Sequence, residues 1–291
     1  MKILLYKFIY HPAVNRWLRA INRFLSPWIA FRLPPSGILH LQLSGVRFAF
    51  ATNPTSHVSK VLYYDGPGAF EYTLIFEKLI TRCRAFADVG SNTGYYAVLA
   101  AKINPGIHVY AFEPSPGPLY FLLQNIKLNK VGDRVEAVPV ALSDKPGKLL
   151  FQPAFNPKYA FLEHHLGGTG HEVADQSQSV EVTSDTLDHF LGDRPVDLIK
   201  LDTEGTEDQI LTGATTVIQK HRPIIICETL FNKIEESLEA IMKGHGYAFY
   251  NHRNGKLLKT ETLKRAVDNG VRDCFFVPAE KQDWIQEHVS V

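Results

Sequence analysis

No Asp or Glu occurs between Met1 and Tyr64, whereas Lys2, Lys7, Arg16, Arg19, Arg23, Arg32, Arg47 and Lys60 all fall in that span. The amino-terminal part is therefore a positive segment on a chain of 291 residues whose formal net charge is only +1. So small a net charge excludes the strong overall attraction on which nucleic-acid binders rely, and no basic stripe crosses the remainder; DNA or RNA is not expected as a partner. Cysteine is scarce too. Cys83, Cys227 and Cys274 are far apart, lack a CxxC spacing and sit in apolar runs, which excludes a disulfide framework and a cysteine-based zinc site. Also missing is any apolar run of the roughly 18 residues that a membrane span needs. The first hydrophobic stretch is broken by Lys7, His11 and Arg16 before a signal-peptide core could form. The expectation is a cytoplasmic protein whose basic amino end could rest on a membrane surface.

What is present is the composition of a folded enzyme, 45% hydrophobic and 21% charged. Over 14–29 the apolar residues Val14, Trp17, Leu18, Ile21, Phe24, Leu25 and Trp28 recur at helical spacing, with Arg16, Arg19 and Arg23 on the opposite face. This predicts an amphipathic helix, broken near Pro27, whose apolar face packs on the body or lies on an anionic membrane. Residues 38–51 read as a β-hairpin turning at Ser44-Gly45. Together, 1–70 form an N-terminal extension, and 71–291 form the main domain.

From Glu71 onward short apolar strands alternate with longer amphipathic helices, the pattern of a doubly wound, Rossmann-like α/β domain. Strands are expected at 85–89, 108–112, 135–142, 198–201, 224–227, 248–250 and 274–277, which makes seven. Helices are expected at 95–103, 118–129, 207–220 and 233–244. An irregular insertion at about 153–180 interrupts the rhythm, and such insertions often carry binding loops.

The strongest chemical signal is Asp88-Val89-Gly90-Ser91-Asn92-Thr93-Gly94, where a buried strand enters a glycine-bearing turn and then a helix. The glycines permit a tight turn and close approach of a ligand, and the helix start offers free N–H groups. The next strand ends in Glu113, which could accept hydrogen bonds from ribose hydroxyls. A GxGxxG fingerprint is absent: Asn92 and Tyr95 stand where its second and third glycines would be, which disfavours a nicotinamide-dependent oxidoreductase.

These stretches, together with Phe112-Glu113-Pro114-Ser115, Val140-Ala141-Leu142-Ser143-Asp144 and the run from Asp197 to Glu207, resemble the FkbM-type methyltransferases, a branch of the seven-stranded S-adenosylmethionine-dependent enzymes. The likeness runs in order from about 71 to 278. It implies a mostly parallel sheet with an antiparallel last strand, S-adenosyl-L-methionine as cofactor, and O-methyl transfer to a small hydroxylated acceptor such as a sugar, glycolipid or polyketide. By the resemblance, Asp88, Gly90, Ser91, Asn92 and Gly94 bed the methionine part, Glu113 holds the ribose, Ser143 and Asp144 meet the adenine edge, and Glu71 approaches the amino group. For Asp144 a turn residue before Lys145-Pro146-Gly147 is the competing reading.

Catalysis is expected at the carboxyl ends of the fourth and fifth strands, where Asp202, Glu204 and Glu228 should converge. One of them, or His165, would remove the acceptor proton; His164 and His171 lie in the same insertion. Three acids could alternatively hold a divalent cation, though no metal site is assigned. Glu207 reads as an acid in a helix's first turn. Asn251, His252 and Arg253 could touch an acceptor. The alternative from another class is a catalytically silent cofactor-binding fold acting as a membrane-associated interaction module.

Overall fold

The computed structural model describes residues 2–22, 32–166 and 179–290. The chain opens with helices α1 (Lys2–Ile9) and α2 (Pro12–Asn22), a hairpin of β1 (Gly37–Leu43) and β2 (Val46–Thr52), and helices α3 (His57–Tyr64) and α4 (Thr73–Ile80). The main domain follows as β3 (Ala85–Val89), α5 (Tyr95–Ile103), β4 (His108–Phe112), α6 (Pro116–Asn129) and β5 (Val135–Val138). A small three-stranded sheet comes next, built of β6 (Ala141–Leu142), β7 (Gly147–Phe151) and β8 (Val180–Asp185). The chain then forms α7 (Leu187–Leu191), β9 (Leu198–Leu201), α8 (Glu207–Thr212), α9 (Thr215–His221), β10 (Ile224–Glu228) and α10 (Glu235–Gly244). It ends with β11 (Tyr247–Arg253), β12 (Lys256–Thr260), β13 (Asp273–Pro278) and β14 (Val289–Ser290).

The main sheet runs β5-β4-β3-β9-β10-β13-β11-β12-β14. All seven expected strands are in it, with β13 antiparallel to both neighbours, and β12 and β14 extend the edge to nine. Strands β3, β9 and most of β10 are buried on both faces, which is why they read as unbroken apolar runs. One large core packs Phe76, Phe86, Leu99 and Phe275 on one side of the sheet; a second packs Ile199, Ile225, Met242 and Phe276 on the other.

Three expectations change at the level of elements. The strand expected at 135–142 stops at Val138, because Pro139 has no N–H to continue the ladder, and residues 141–142 pair instead with β8. The helix expected at 207–220 is two helices meeting at Gly213. In α2 the buried side chains are Asn15 and Arg19, while Trp17 and Ile21 are exposed, the reverse of the expected burial. Asn15 bonds to Pro34 O and Ser36 N, and the Arg19 guanidinium stacks 4.3 Å above the Tyr63 ring. Polar partners in the hairpin's approach anchor this helix, while Leu18 packs on the apolar cluster of Tyr10, Leu33 and Tyr159. Residues 23–29 of the expected helix, and Gly167, Gly168, Gly170, His171 and Glu172 of the insertion, lie outside the described residues.

The hairpin is part of the main core: Leu39, Phe48 and Phe50 are buried with α4 and α5. Strand β2 is further held by α6, where Asn125 and Asn129, one turn apart, pair their amides with the backbone of Ala51 and Ala49.

Candidate functional site

Chain order diverges between β3 and β9, since β3 leads outward to β4 and β5 while β9 leads the other way to β10. In open α/β sheets ligands bind outside the carboxyl ends of the strands at such a point. Register sets which side chains meet there. Asp88 is the register partner of Lys200, and Glu228 that of Asp273.

Lys200 is buried in the apolar strand β9, with its Nζ 3.1 Å from Asp202 Oδ2, 3.6 Å from Asp88 Oδ1 and 3.2 Å from Gly90 O. Burial opposes its charge, but Asp202, Asp88 and Glu71 outweigh burial and raise its pKa, so it is a fixed cation under the site. Asp88 is 1% exposed, and neither carboxylate oxygen has a hydrogen-bond partner. Burial raises its pKa and Lys200 counters this.

The turn after Asp88 is fixed tightly. Ser91 Oγ bonds Asp88 O at 2.6 Å, and the N–H groups of Gly90 and Ser91 both donate to Phe112 O. Gly90 has φ +73°, and a Cβ there would stand 1.9 Å from Asp202 O; a Cβ on Gly94, φ +81°, would stand 2.5 Å from Leu122 Cδ1. Glycine is required at position 90, where backbone would be struck, and is favoured at 94 by the left-handed φ and the Leu122 side chain. Asn92 adopts φ +50° and turns its N–H onto Glu113 Oε2 at 2.8 Å, while Ser115 N donates to Glu113 Oε1, also at 2.8 Å. Glu113 is buried, and burial raises its pKa to about 7 against these two N–H bonds. Each oxygen keeps a further lone pair.

On the other side of Lys200 lies an acidic cleft of ≈ 640 Å³, lined among others by Glu71, Asp202, Glu228, His252, Arg253 and Asp273. Glu71, just before α4, has φ +44° and accepts from Tyr96 Oη at 3.0 Å. Water reaches it in the cleft mouth, yet the surrounding protein and then Asp202 raise its pKa to about 7, with Lys200 opposing. Glu228 is pushed to about 8 by burial, then by Asp202 and Glu204, and its Oε2 is buried without a hydrogen-bond partner. Asp273 is raised well above the carboxylate range by burial, Glu71, Asp202 and Glu228. Glu204 has φ +64°, so Glu71, Asn92 and Glu204 at this edge are all left-handed non-glycine residues.

Asp202, Glu204 and Glu228 therefore converge as expected, each able to bring an oxygen within 4.8 Å of the others. Glu207 does not join them. It is fully buried and caps its own turn, accepting from Thr203 N at 2.7 Å, Thr203 Oγ1 and Gly205 N. Ser143 is buried beside α8, its Oγ 3.1 Å from the exposed Asp144. His165 lies apart from the acidic cleft: its carbonyl abuts Gly117 at the start of α6, its Nδ1 accepts from Asn156 N at 3.2 Å, and burial lowers its pKa. His164 stacks near Tyr120, ring centroids 4.1 Å apart.

Three residues of the site escaped the sequence reading as functional groups: Lys200, Asp273 and Tyr96. A lysine inside an otherwise apolar buried strand was the available signal for the first. Asp273 was hidden because β13 runs backwards, which brings its amino end to the edge where the parallel strands end.

The model of the family described as the methyltransferase FkbM domain matches residues 88–249, more than half of the chain. The 31-O-demethyl-FK506 methyltransferase FkbM of Streptomyces tacrolimicus is 26% identical over 202 residues, covering 60% of this chain and 76% of that protein. Methyltransferase sdnD of Sordaria araneosa is 26% identical over 189 residues, covering 55% of this chain and 72% of that one. Among solved structures, a methyltransferase FkbM from Methylobacillus flagellatus KT aligns with TM-score 0.45 and 14% identity, over 66% of this chain and 43% of that chain. The matched stretch begins at Asp88 and contains Gly90, Glu113, Lys200, Asp202 and Glu228, and by it the chain belongs to the FkbM-domain family of methyltransferases.

Proposed function

We propose that this methyltransferase uses S-adenosyl-L-methionine and methylates a hydroxyl of a small molecule of the sugar, glycolipid or polyketide type. The observation that carries the reading is the pairing, across the glycine turn, of Asp88, a buried acid without a hydrogen bond that faces the Lys200 ammonium at 3.6 Å, and Glu113, whose oxygens have lone pairs to spare. Such acceptors suit an ammonium group and a pair of ribose hydroxyls. Asp88, Gly90, Ser91, Asn92 and Gly94 would hold the methionine part, Glu113 the ribose, and Ser143 and Asp144 the adenine edge, with Glu71 facing the amino group. When bound, the cofactor supplies a methyl carbon already activated by its sulfonium. The name of the Streptomyces relative specifies an oxygen position, which supports a hydroxyl acceptor.

The chain's own part is then to align the acceptor and take its proton. Glu228 is the base in this proposal: like charges and burial raise its basicity, and its Oε2 has no competing partner. Asp202, held by Lys200, and Glu204 set that basicity and orient the acceptor. The base is placed among these acids because Glu228 lines the cleft, whereas His165 lies apart from it with its Nδ1 engaged by Asn156 N.

Isothermal titration with S-adenosylhomocysteine tests the cofactor assignment. Micromolar binding that is lost in folded Glu113→Gln and Asp88→Asn variants is the expected result, followed by methyl transfer from labelled cofactor to hydroxylated acceptors. Absence of binding by the intact protein would overturn the proposal.

A further inference from the structure

Helices α1 and α2 turn their most apolar surface to solvent. On α1, Ile3, Leu4, Leu5 and Phe8 are 55%, 72%, 55% and 63% exposed, and on α2 Trp17 is 63% and Ile21 39% exposed. The spacing from Leu4 to Phe8 and from Trp17 to Ile21 is one helical turn, so each pair forms a stripe. The helices are not loosely attached. Tyr6, Ile9 and Tyr10 of the α1 region pack on Leu33, Tyr159 and Phe161, and α2 is bolted down by Asn15 and Arg19. On α2, burial of Asn15 and Arg19 leaves Trp17 and Ile21 outward, and on α1 the packing of Tyr6 and Ile9 leaves Leu4 and Phe8 outward.

The charged side chains of the two helices themselves are of one sign. Lys2, Lys7 and Arg16 are exposed beside the stripes, Lys158 Nζ stands 5.1 Å from the Tyr6 ring, and the sequence contains no acid before Asp65. Large exposed apolar residues bordered by cations, including a tryptophan, are the composition of a helix that lies in the interface of an anionic bilayer. No helix among the described residues is long and apolar enough to cross a membrane. We propose that α1 and α2 form a docking surface for an anionic membrane, with Leu4, Phe8, Trp17 and Ile21 entering the headgroup boundary and Lys2, Lys7 and Arg16 meeting lipid phosphates. This docking is independent of the cofactor and acceptor proposed above.

The full chain is sedimented with vesicles of phosphatidylcholine alone or with added phosphatidylglycerol, at low and high salt. Binding is expected to the anionic vesicles and to weaken with salt. Leu4→Glu/Trp17→Glu should bind about ten-fold more weakly, and Lys7→Ala/Arg16→Ala should lose the preference for anionic lipid. Circular dichroism and thermal melting of the same variants should match the parent, because the altered side chains are exposed. Failure of the parent chain to sediment with anionic vesicles, or undiminished binding by Leu4→Glu/Trp17→Glu, would overturn the proposal. So would a dimer in solution that Trp17→Glu converts to monomer, since a second copy would then be the occupant of this face.

Discussion

Lys200 reaches Asp202 across 3.1 Å from inside a buried strand, and the same ammonium is the only cation within 4 Å of Asp88 among the described residues. Asp88 and Lys200 are both almost wholly buried, so loss of the cation would leave a desolvated carboxylate that must protonate or destabilise the fold. Lys200→Met is expected to cost about 3–5 kcal/mol in urea unfolding. Adding Asp88→Asn to Lys200→Met should recover part of that loss, because the uncompensated charge is gone. A single-variant loss below about 1 kcal/mol would show the pair to be no stronger than a surface ion pair.

The glycine turn separates two kinds of steric demand. A methyl group at Gly90 meets the backbone oxygen of Asp202, whereas one at Gly94 meets the end of the Leu122 side chain, which can rotate away. Both also carry the left-handed strain of about 1 kcal/mol or more. Gly90→Ala should therefore be the more destabilising, by upward of about 2 kcal/mol, and should abolish binding of S-adenosylhomocysteine. Gly94→Ala should retain measurable binding. Calorimetric titration of both variants decides the order.

Much of this arrangement is legible in the sequence, and its gaps have physical causes. Strands β3, β4, β9 and β10 announce themselves because burial demands near-continuous apolar residues, and Asp88, Glu113, Asp202 and Glu228 follow directly as their polar ends. Helix α2 was misjudged in its orientation because periodicity reports that two faces differ, not which one is buried. Asn15 and Arg19 are inside only because Pro34, Ser36 and Tyr63 offer partners, and those partners are distant in sequence. The same holds for Asn125, which reads as an ordinary polar helix residue until β2 is set beside it.

That asparagine carries a measurable load. Asn125 Oδ1 accepts from Ala51 N at 2.6 Å, and its Nδ2 donates to Thr93 O at 2.8 Å and Ala51 O at 3.3 Å, so it links the hairpin to the glycine turn. Asn125→Leu keeps a similar volume but leaves these buried backbone groups unpaired, and an unsatisfied buried group costs about 1–3 kcal/mol. A loss of about 3 kcal/mol is expected, with faster hydrogen exchange at the Ala51 amide. Unchanged exchange there would mean that β2 is held by its apolar face alone.

Stability should fall as pH rises from about 6.5 to about 8; at lower pH the histidines that burial shifts downward, His165, His221, His245, His252 and His288, act in the opposite direction. Glu71 and Glu113 have folded-state pKa values near 7 and Glu228 near 8, all above the ordinary 4.5. Between the two values the folded chain binds more protons than the unfolded one, so raising the pH favours unfolding. Glu239 and Asp268 are shifted the other way, to about 2, and their gain is complete before pH 5. Melting temperatures of the ligand-free protein across this range should decline, and Glu228→Gln should flatten the part of the decline nearest pH 8. A melting temperature that climbs from about pH 6.5 to about 8 would contradict the crowding of acids at this edge.

The same titration bears on turnover. A base works only when deprotonated, so if Glu228 takes the acceptor proton, log kcat should rise with pH and level off near 8. Glu228→Gln should lower kcat by about 10²–10⁴ and remove that rising limb. Glu204→Gln supplies the sharper test. It removes a like charge that helps to raise the Glu228 pKa, so the inflection should move to lower pH while the limb persists. Were Glu228→Gln to keep the limb and Asp202→Asn to lose it, the base would be Asp202, and Glu228 would be left to position the acceptor.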